Sequence, residues 1–75
     1  MNEIIRQIMA ESFDIPVEQI TPDSNDHNIE GWDSLHHIRM IVALERKFDI
    51  TIPDEEVGNM VSYKFIEQVI NKLIL

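Results

Sequence analysis

Serine, histidine and carboxylate stand together in "GWDSLHH", Gly31 to His37, and three chemistries use those groups. The first is nucleophilic catalysis by Ser34. That reading lacks the strand-to-helix Gly-x-Ser-x-Gly elbow, and no acid–base–nucleophile set is evident, so the chain is expected to catalyse nothing. The second is metal binding. His36 and His37 are adjacent, project about 100° apart on a helix and cannot chelate as an i, i+4 pair would. His27 has no second nitrogen at a ligand spacing. An EF-hand counted from Asp23 starts well with Asp23 and Asn25, but it has Asn28 where glycine is needed and Ser34 where glutamate is needed. No metal site is expected. The third is an ester of Ser34 with phosphate. Unpaired N–H groups and the positive end of the macrodipole favour such a group at a helix N-terminus. The plain alternative is that Ser34 is only an N-cap.

A site of this kind depends on the elements around it. Seventy-five residues make one small domain, residues 1–75, with 44% apolar residues for a modest core. There is no cysteine, so neither a disulfide framework nor a thiolate metal site is available. Helix 1 is predicted over 3–13, capped by Asn2, with an apolar stripe of Ile4, Ile5, Ile8, Met9 and Phe13. A loop of about twenty residues follows, anchored by Ile15, Val17, Ile20 and Ile29, with a helical turn at 17–20. Helix 2 is predicted over 34–48. Asp54 is the expected cap of a short helix 3 over 55–60, and Ser62 of helix 4 over 63–74, whose stripe is Phe65, Ile66, Val69, Ile70 and Leu73. No segment reads as a strand with a partner. The expectation is all-α: a small four-helix bundle, three main helices and one short one, with a long loop between helices 1 and 2.

Charge narrows the partners. Fourteen Asp and Glu against six Lys and Arg give a net charge of −8, so the basic footprint that nucleic acid requires is missing. Nothing resembles a signal peptide, and no run approaches the ~20 apolar residues that span a bilayer. A cytoplasmic protein with no membrane partner is expected. Residues 1–33 hold eight acids against Arg6 alone, whereas residues 34–48 set Arg39, Arg46 and Lys47 against Glu45. Helix 2 is therefore a basic island. On a helical wheel, His37, Ile41, Leu44 and Phe48 form its core face, flanked by Met40 and Ile38. Leu35 and Val42 point away from that face, aligned with Arg39 and Arg46. This is either a docking strip, with apolar contact for affinity and arginine for orientation, or two exposed apolar residues that need no explanation.

With these residues in view, the chain resembles an acyl carrier protein. Asp33-Ser34-Leu35 is similar to that family's attachment motif. The later pattern of Ala43-Leu44-Glu45, Phe48, Ile50 and Ile52-Pro53-Asp54-Glu55-Glu56 resembles the end of its second helix and the start of its third. The likeness includes the opening "IMAESFDIPVEQI" and covers nearly the whole chain. It implies that Ser34 carries a 4′-phosphopantetheine arm, transferred from coenzyme A by a phosphopantetheinyl transferase. The arm's thiol would hold acyl groups as thioesters for acyl-loading and acyl-processing enzymes. The resemblance also implies that Leu35, Arg39, Val42 and Arg46 meet those partners, and that a cavity between helices shelters the acyl chain. A monomer is expected.

The departures point to a specialised carrier. His36 and Arg39 stand where carriers of fatty acid synthesis favour acids, and Arg46 and Lys47 replace an acidic run. Trp32 stands where a small or aliphatic residue is usual, and Glu30 where leucine is. A basic helix repels partners that carry basic patches, which implies a dedicated lipid or secondary-metabolite pathway. Within the same class, an aminoacyl or peptidyl carrier shares the serine and the fold. From a different class, the alternative is a small helical interaction module with no prosthetic group.

Overall fold

The side-chain oxygen of Asn2 accepts hydrogen bonds from the backbone N–H groups of Ile4 and Ile5, both at 3.0 Å, and this cap starts the first helix. The structure is a computed structural model describing residues 1–74. Its helices are α1 (Glu3–Phe13), α2 (Ser34–Phe48), α3 (Asp54–Val57) and α4 (Tyr63–Ile74), with one 3-10 turn at Val17–Gln19. The all-α bundle expected from the pattern is the one observed. Both α1 and α2 end on an aspartate in the left-handed region, Asp14 at φ 57° and Asp49 at φ 53°. Aspartate tolerates that conformation better than most residues, and its N–H turns back onto the last helical carbonyls.

The core is the meeting of three stripes. Ile5 and Met9 from α1, Met40 and Leu44 from α2, and Ile66 and Ile70 from α4 are all 0% exposed. Four expectations are corrected. Ile4 is exposed, although its spacing put it on the apolar stripe of α1. Phe48 packs on the core but is only half-buried, because the chain leaves α2 one residue later. Asp54 does not cap α3: Pro53 occupies the cap position, Asp54 is already helical, and the helix is a single turn ending at Val57 rather than at residue 60. Ile38, placed at the edge of the core stripe of α2, is 51% exposed. Single-turn α3 is too short to cover that flank.

The long loop is tied down along its length. Ile20 and Ile29 are buried, and Ile15 and Val17 pack against the core from its edge. Arg6 Nε donates to the Ile20 carbonyl at 3.0 Å, and buried Ser24 accepts from the Thr21 N–H at 2.8 Å. Asp26 N–H donates to the Val61 carbonyl and Tyr63 N–H to the Ser24 carbonyl, forming an isolated bridge between Asn25 and Ser62. The loop thereby docks on the start of α4, where the Ser62 hydroxyl accepts from the Phe65 N–H as the expected cap. The Tyr63 hydroxyl accepts from the Asn2 N–H and donates to Glu67, joining the start of α1 to the start of α4; its pKa is raised by burial first and by Glu67 next. No described helix is long and apolar enough to cross a membrane.

The acids of residues 1–33 outnumber their cationic partners, and Asp23 meets Lys64 at 3.6 Å between exposed side chains. Self-repulsion of this kind destabilises a compact chain. The protein is therefore expected to melt at a higher temperature in about 0.15 M salt than in about 0.01 M, as the Debye length shrinks from about 30 Å to about 8 Å. Millimolar calcium should raise it further by diffuse association near Asp23, Asp26, Glu30 and Asp33. Thermal melts in the three conditions check this; an unchanged melting temperature would show that the acidic half is fully solvated.

Candidate functional site

The approach to α2 is a turn that glycine makes possible. Gly31 has φ +86°, a region in which a side chain is strained, and the Asp33 N–H folds back onto its carbonyl at 2.9 Å. The turn lays Trp32 against Phe13 of α1, ring centroids 4.4 Å apart, and delivers Asp33 to the cap position of α2. Asp33 Oδ1 accepts from the backbone N–H of His36 at 2.9 Å and from His36 Nδ1 at 2.6 Å.

That assignment corrects the plain reading of Ser34. The N-cap is Asp33, and Ser34 is the first helical residue, exposed, with its hydroxyl bonded to nothing among the described residues. Nor do the backbone N–H groups of Ser34 and Leu35 have an acceptor there, as expected of the first turn of a helix. A free hydroxyl next to two free N–H donors fits a phosphodiester, because the oxygens of such a group accept those N–H bonds.

The cap has a pH dependence that follows from its geometry. The backbone N–H of His36, and after it the His36 ring, hold the Asp33 carboxyl below its ordinary value of 3.8. A carboxyl lowered on folding stabilises the fold above the ordinary carboxylate range, and that contribution is lost as pH falls through the lowered value. The first turn of α2 should therefore loosen in acid before the helix as a whole does. An NMR titration following the Asp33 carboxyl carbon and the His36 amide proton would show one shared transition below the ordinary range. Independent transitions would mean that the cap does not hold in solution.

His37 is half-buried and fully hydrogen-bonded, as its place on the apolar face suggested. Its Nδ1 accepts from the Trp32 indole N–H at 3.0 Å, and its Nε2 donates to the Val57 carbonyl at 2.7 Å. The indole only donates and the carbonyl only accepts, so these partners specify the tautomer with the proton on Nε2. The two histidines therefore diverge, His36 to the cap and His37 to α3. Among the described residues no three His, Cys, Asp or Glu side chains gather as a metal-binding group.

Two grooves flank the start of α2. One, of about 450 Å³, lies between α2 and the α3 end of the molecule and is walled by apolar Trp32, Ile38, Val57 and Val61 and by polar Asp26, Asp33, Ser34 and His37. This groove lies directly beside Ser34. The second, of about 320 Å³, is formed by Leu35, Ile38, Arg39, Val42, Ala43 and Arg46. All four residues of the expected docking strip line it and are exposed, Leu35 most at 66%. Neither Arg39 nor Arg46 forms an ion pair among the described residues. Ile38, misassigned to the core by its wheel position, is the ridge shared by both grooves; its exposure depends on the length of α3.

Comparison with known proteins agrees with this fold. The family described as "Phosphopantetheine attachment site" matches residues 3–69. The chain is 39% identical over 75 residues to an acyl carrier protein of Helicobacter pylori, covering 95% of this chain and 94% of the relative. It superposes on a holo acyl carrier protein from Geobacter metallireducens with a TM-score of 0.81 at 24% identity, over 93% of this chain and 80% of that one. A hexanoyl acyl carrier protein from the actinorhodin polyketide synthase of Streptomyces coelicolor also gives 0.81, at 23% identity, over 99% and 90%. A chain in the structure of the ishigamide ketosynthase/chain length factor gives 0.75 at 28% identity, over 96% and 90%. The last three share the fold, and the first two carry the family. The family match runs from the start of α1 into α4 and includes the turn before Ser34, so the chain belongs to the acyl carrier proteins, which bear a phosphopantetheine prosthetic group and do not themselves catalyse.

Proposed function

We propose that Ser34 is the attachment point of the 4′-phosphopantetheine arm, and that this carrier serves a dedicated biosynthetic pathway through the basic outer face of α2. When attached, the arm supplies a terminal thiol on which acyl groups are held as thioesters. The observation that carries the site is the division of labour at the start of α2. Asp33 caps the helix, so the Ser34 hydroxyl is free, exposed and at a helix N-terminus. The first-turn N–H groups of Ser34 and Leu35 face no competing acceptor and stabilise a phosphodiester there.

The docking proposal rests on the second groove. Leu35 and Val42 offer apolar contact, and Arg39 and Arg46, without an ion pair among the described residues, flank them on a molecule of net charge −8. Such a face pairs with carboxylates on a loading or processing enzyme and repels a basic one, which separates this carrier's partners from those that recognise an acidic helix. The partner that installs the arm is a phosphopantetheinyl transferase using coenzyme A. Incubating the folded chain with coenzyme A and a broad-specificity transferase should add the mass of one phosphopantetheine, located on Ser34 by peptide mapping. No increment on folded protein, or an increment elsewhere, would overturn the assignment.

A further inference from the structure

His37 stands between two partners with opposite requirements. The Trp32 indole N–H needs an acceptor and finds Nδ1 at 3.0 Å, and the Val57 carbonyl needs a donor and finds Nε2 at 2.7 Å. The neutral ring with its proton on Nε2 serves both. The protonated ring carries N–H on both nitrogens, so it still donates to Val57 but turns a second donor towards the indole. Charge on His37 therefore breaks one bond and keeps the other. The bond that breaks holds the turn before α2. Trp32 lies between Gly31, at φ +86°, and Asp33, the cap of the helix that Ser34 begins. Its indole also lies against Phe13 of α1, centroids 4.4 Å apart, a contact that charge on His37 does not touch.

We propose that His37 is a pH-sensitive latch on this turn: the neutral ring ties Trp32 to α2, and the protonated ring releases it while staying bonded to α3. The charged ring has new acceptors at hand, because the carboxylates of Asp26 and Asp33 line the same groove. The other ionisable groups nearby are engaged elsewhere. On α2, His36 turns its Nδ1 to Asp33 at 2.6 Å; on α3, Glu56 next to Val57 meets Lys72 of α4 at 3.5 Å. From α1 the side chain that reaches the indole is Phe13, which carries no charge. The latch and the Asp33 cap answer to different ranges, since imidazoles ordinarily change charge between about pH 5 and 8 and carboxyls near about pH 4. Mild acid thus frees Trp32 while Asp33 still caps the helix.

The test is an NMR titration of the full chain, in which the indole N–H is a single resonance because there is one tryptophan. Lowering the pH from about 8 to about 5 covers the range in which imidazoles ordinarily take up a proton. The indole N–H should move upfield, as a donor losing its acceptor does, in step with the ring carbons of His37. The Val57 carbonyl carbon should keep a hydrogen-bonded shift throughout. His37→Gln offers an amide oxygen to the indole and an amide N–H to Val57 but does not titrate, so it should hold the indole N–H in place across the same range. His36→Gln and His27→Gln should leave the wild-type transition intact, which separates His37 from the other two histidines. An indole N–H that keeps its shift across the range in the wild type would overturn the proposal. So would a transition that follows the ring of another histidine, or one that persists unchanged in His37→Gln. The wild-type titration, with the His37 ring assigned, decides the matter if a variant does not fold.

Discussion

Ser34→Ala is expected to accept no phosphopantetheine at all while keeping the wild-type helical content and melting temperature. Loading requires the hydroxyl oxygen, and the methyl group left by the substitution has none. The fold has little stake in that oxygen, because Asp33 supplies the cap and the Ser34 hydroxyl bonds to nothing among the described residues. Alanine is also the better helix former, so the change in stability should stay within about 0.5 kcal/mol. The contrast is with Asp33→Ala, which should fray the first turn of α2 and slow loading while leaving the nucleophilic oxygen in place. Intact mass after transferase treatment, with thermal melts of both variants, separates the two roles. A mass increment on Ser34→Ala would show that another residue is the anchor.

Arg39→Glu combined with Arg46→Glu should reverse partner preference. The two guanidinium groups flank Leu35 and Val42 on one exposed groove, and no ion pair among the described residues restrains them. Reversal sets like charges against an acidic partner surface, at a cost of several kcal/mol in an interface. Since about 1.4 kcal/mol is tenfold, kcat/KM of the cognate loading enzyme for the variant should fall by at least about tenfold. A general fatty acid synthesis enzyme with a basic docking surface should gain over the same change, and both effects should shrink as salt is raised. The fold should lose no more than about 1 kcal/mol, because both positions are exposed and only Arg46, in the last turn, meets the negative end of the helix dipole. Equal kcat/KM for wild type and variant with both enzymes would show that this face does not set partner choice.

Periodicity and punctuation made the helices legible. The bounds of α2 at Ser34 and Phe48, the Asn2 cap and the Ser62 cap follow from local chemistry, because a cap is a bond between residues two or three apart. The attachment motif was legible for a similar reason, since Asp33, Ser34 and Leu35 are consecutive. Which of two neighbours would be the cap was not. Aspartate and serine cap about equally well, and the choice fell to Asp33 because the Gly31 turn and the His36 ring place its carboxylate over the first turn. The wheel likewise put Ile38 near the core, but a wheel knows only its own helix. Whether a flank is buried depends on what lies opposite, and opposite Ile38 is a helix of one turn.

By itself the sequence determined an all-helical chain with a serine at the start of a basic helix; that it is a carrier was implied by the family resemblance. These properties depend on local spacing, composition and charge, which are present in the chain before it folds. Only the tertiary structure decided how that serine is surrounded. His37 and Val57 are 20 positions apart, and nothing in the spacing of Trp32, His37 and Val57 announces that an indole N–H, an imidazole and a carbonyl will align. Their alignment needs α1 to supply Phe13, the loop to turn at Gly31, and α3 to end at Val57. Hydrogen bonds among such distant groups form only once hydrophobic packing has brought their helices together, which is why the wall of the groove is a property of the fold.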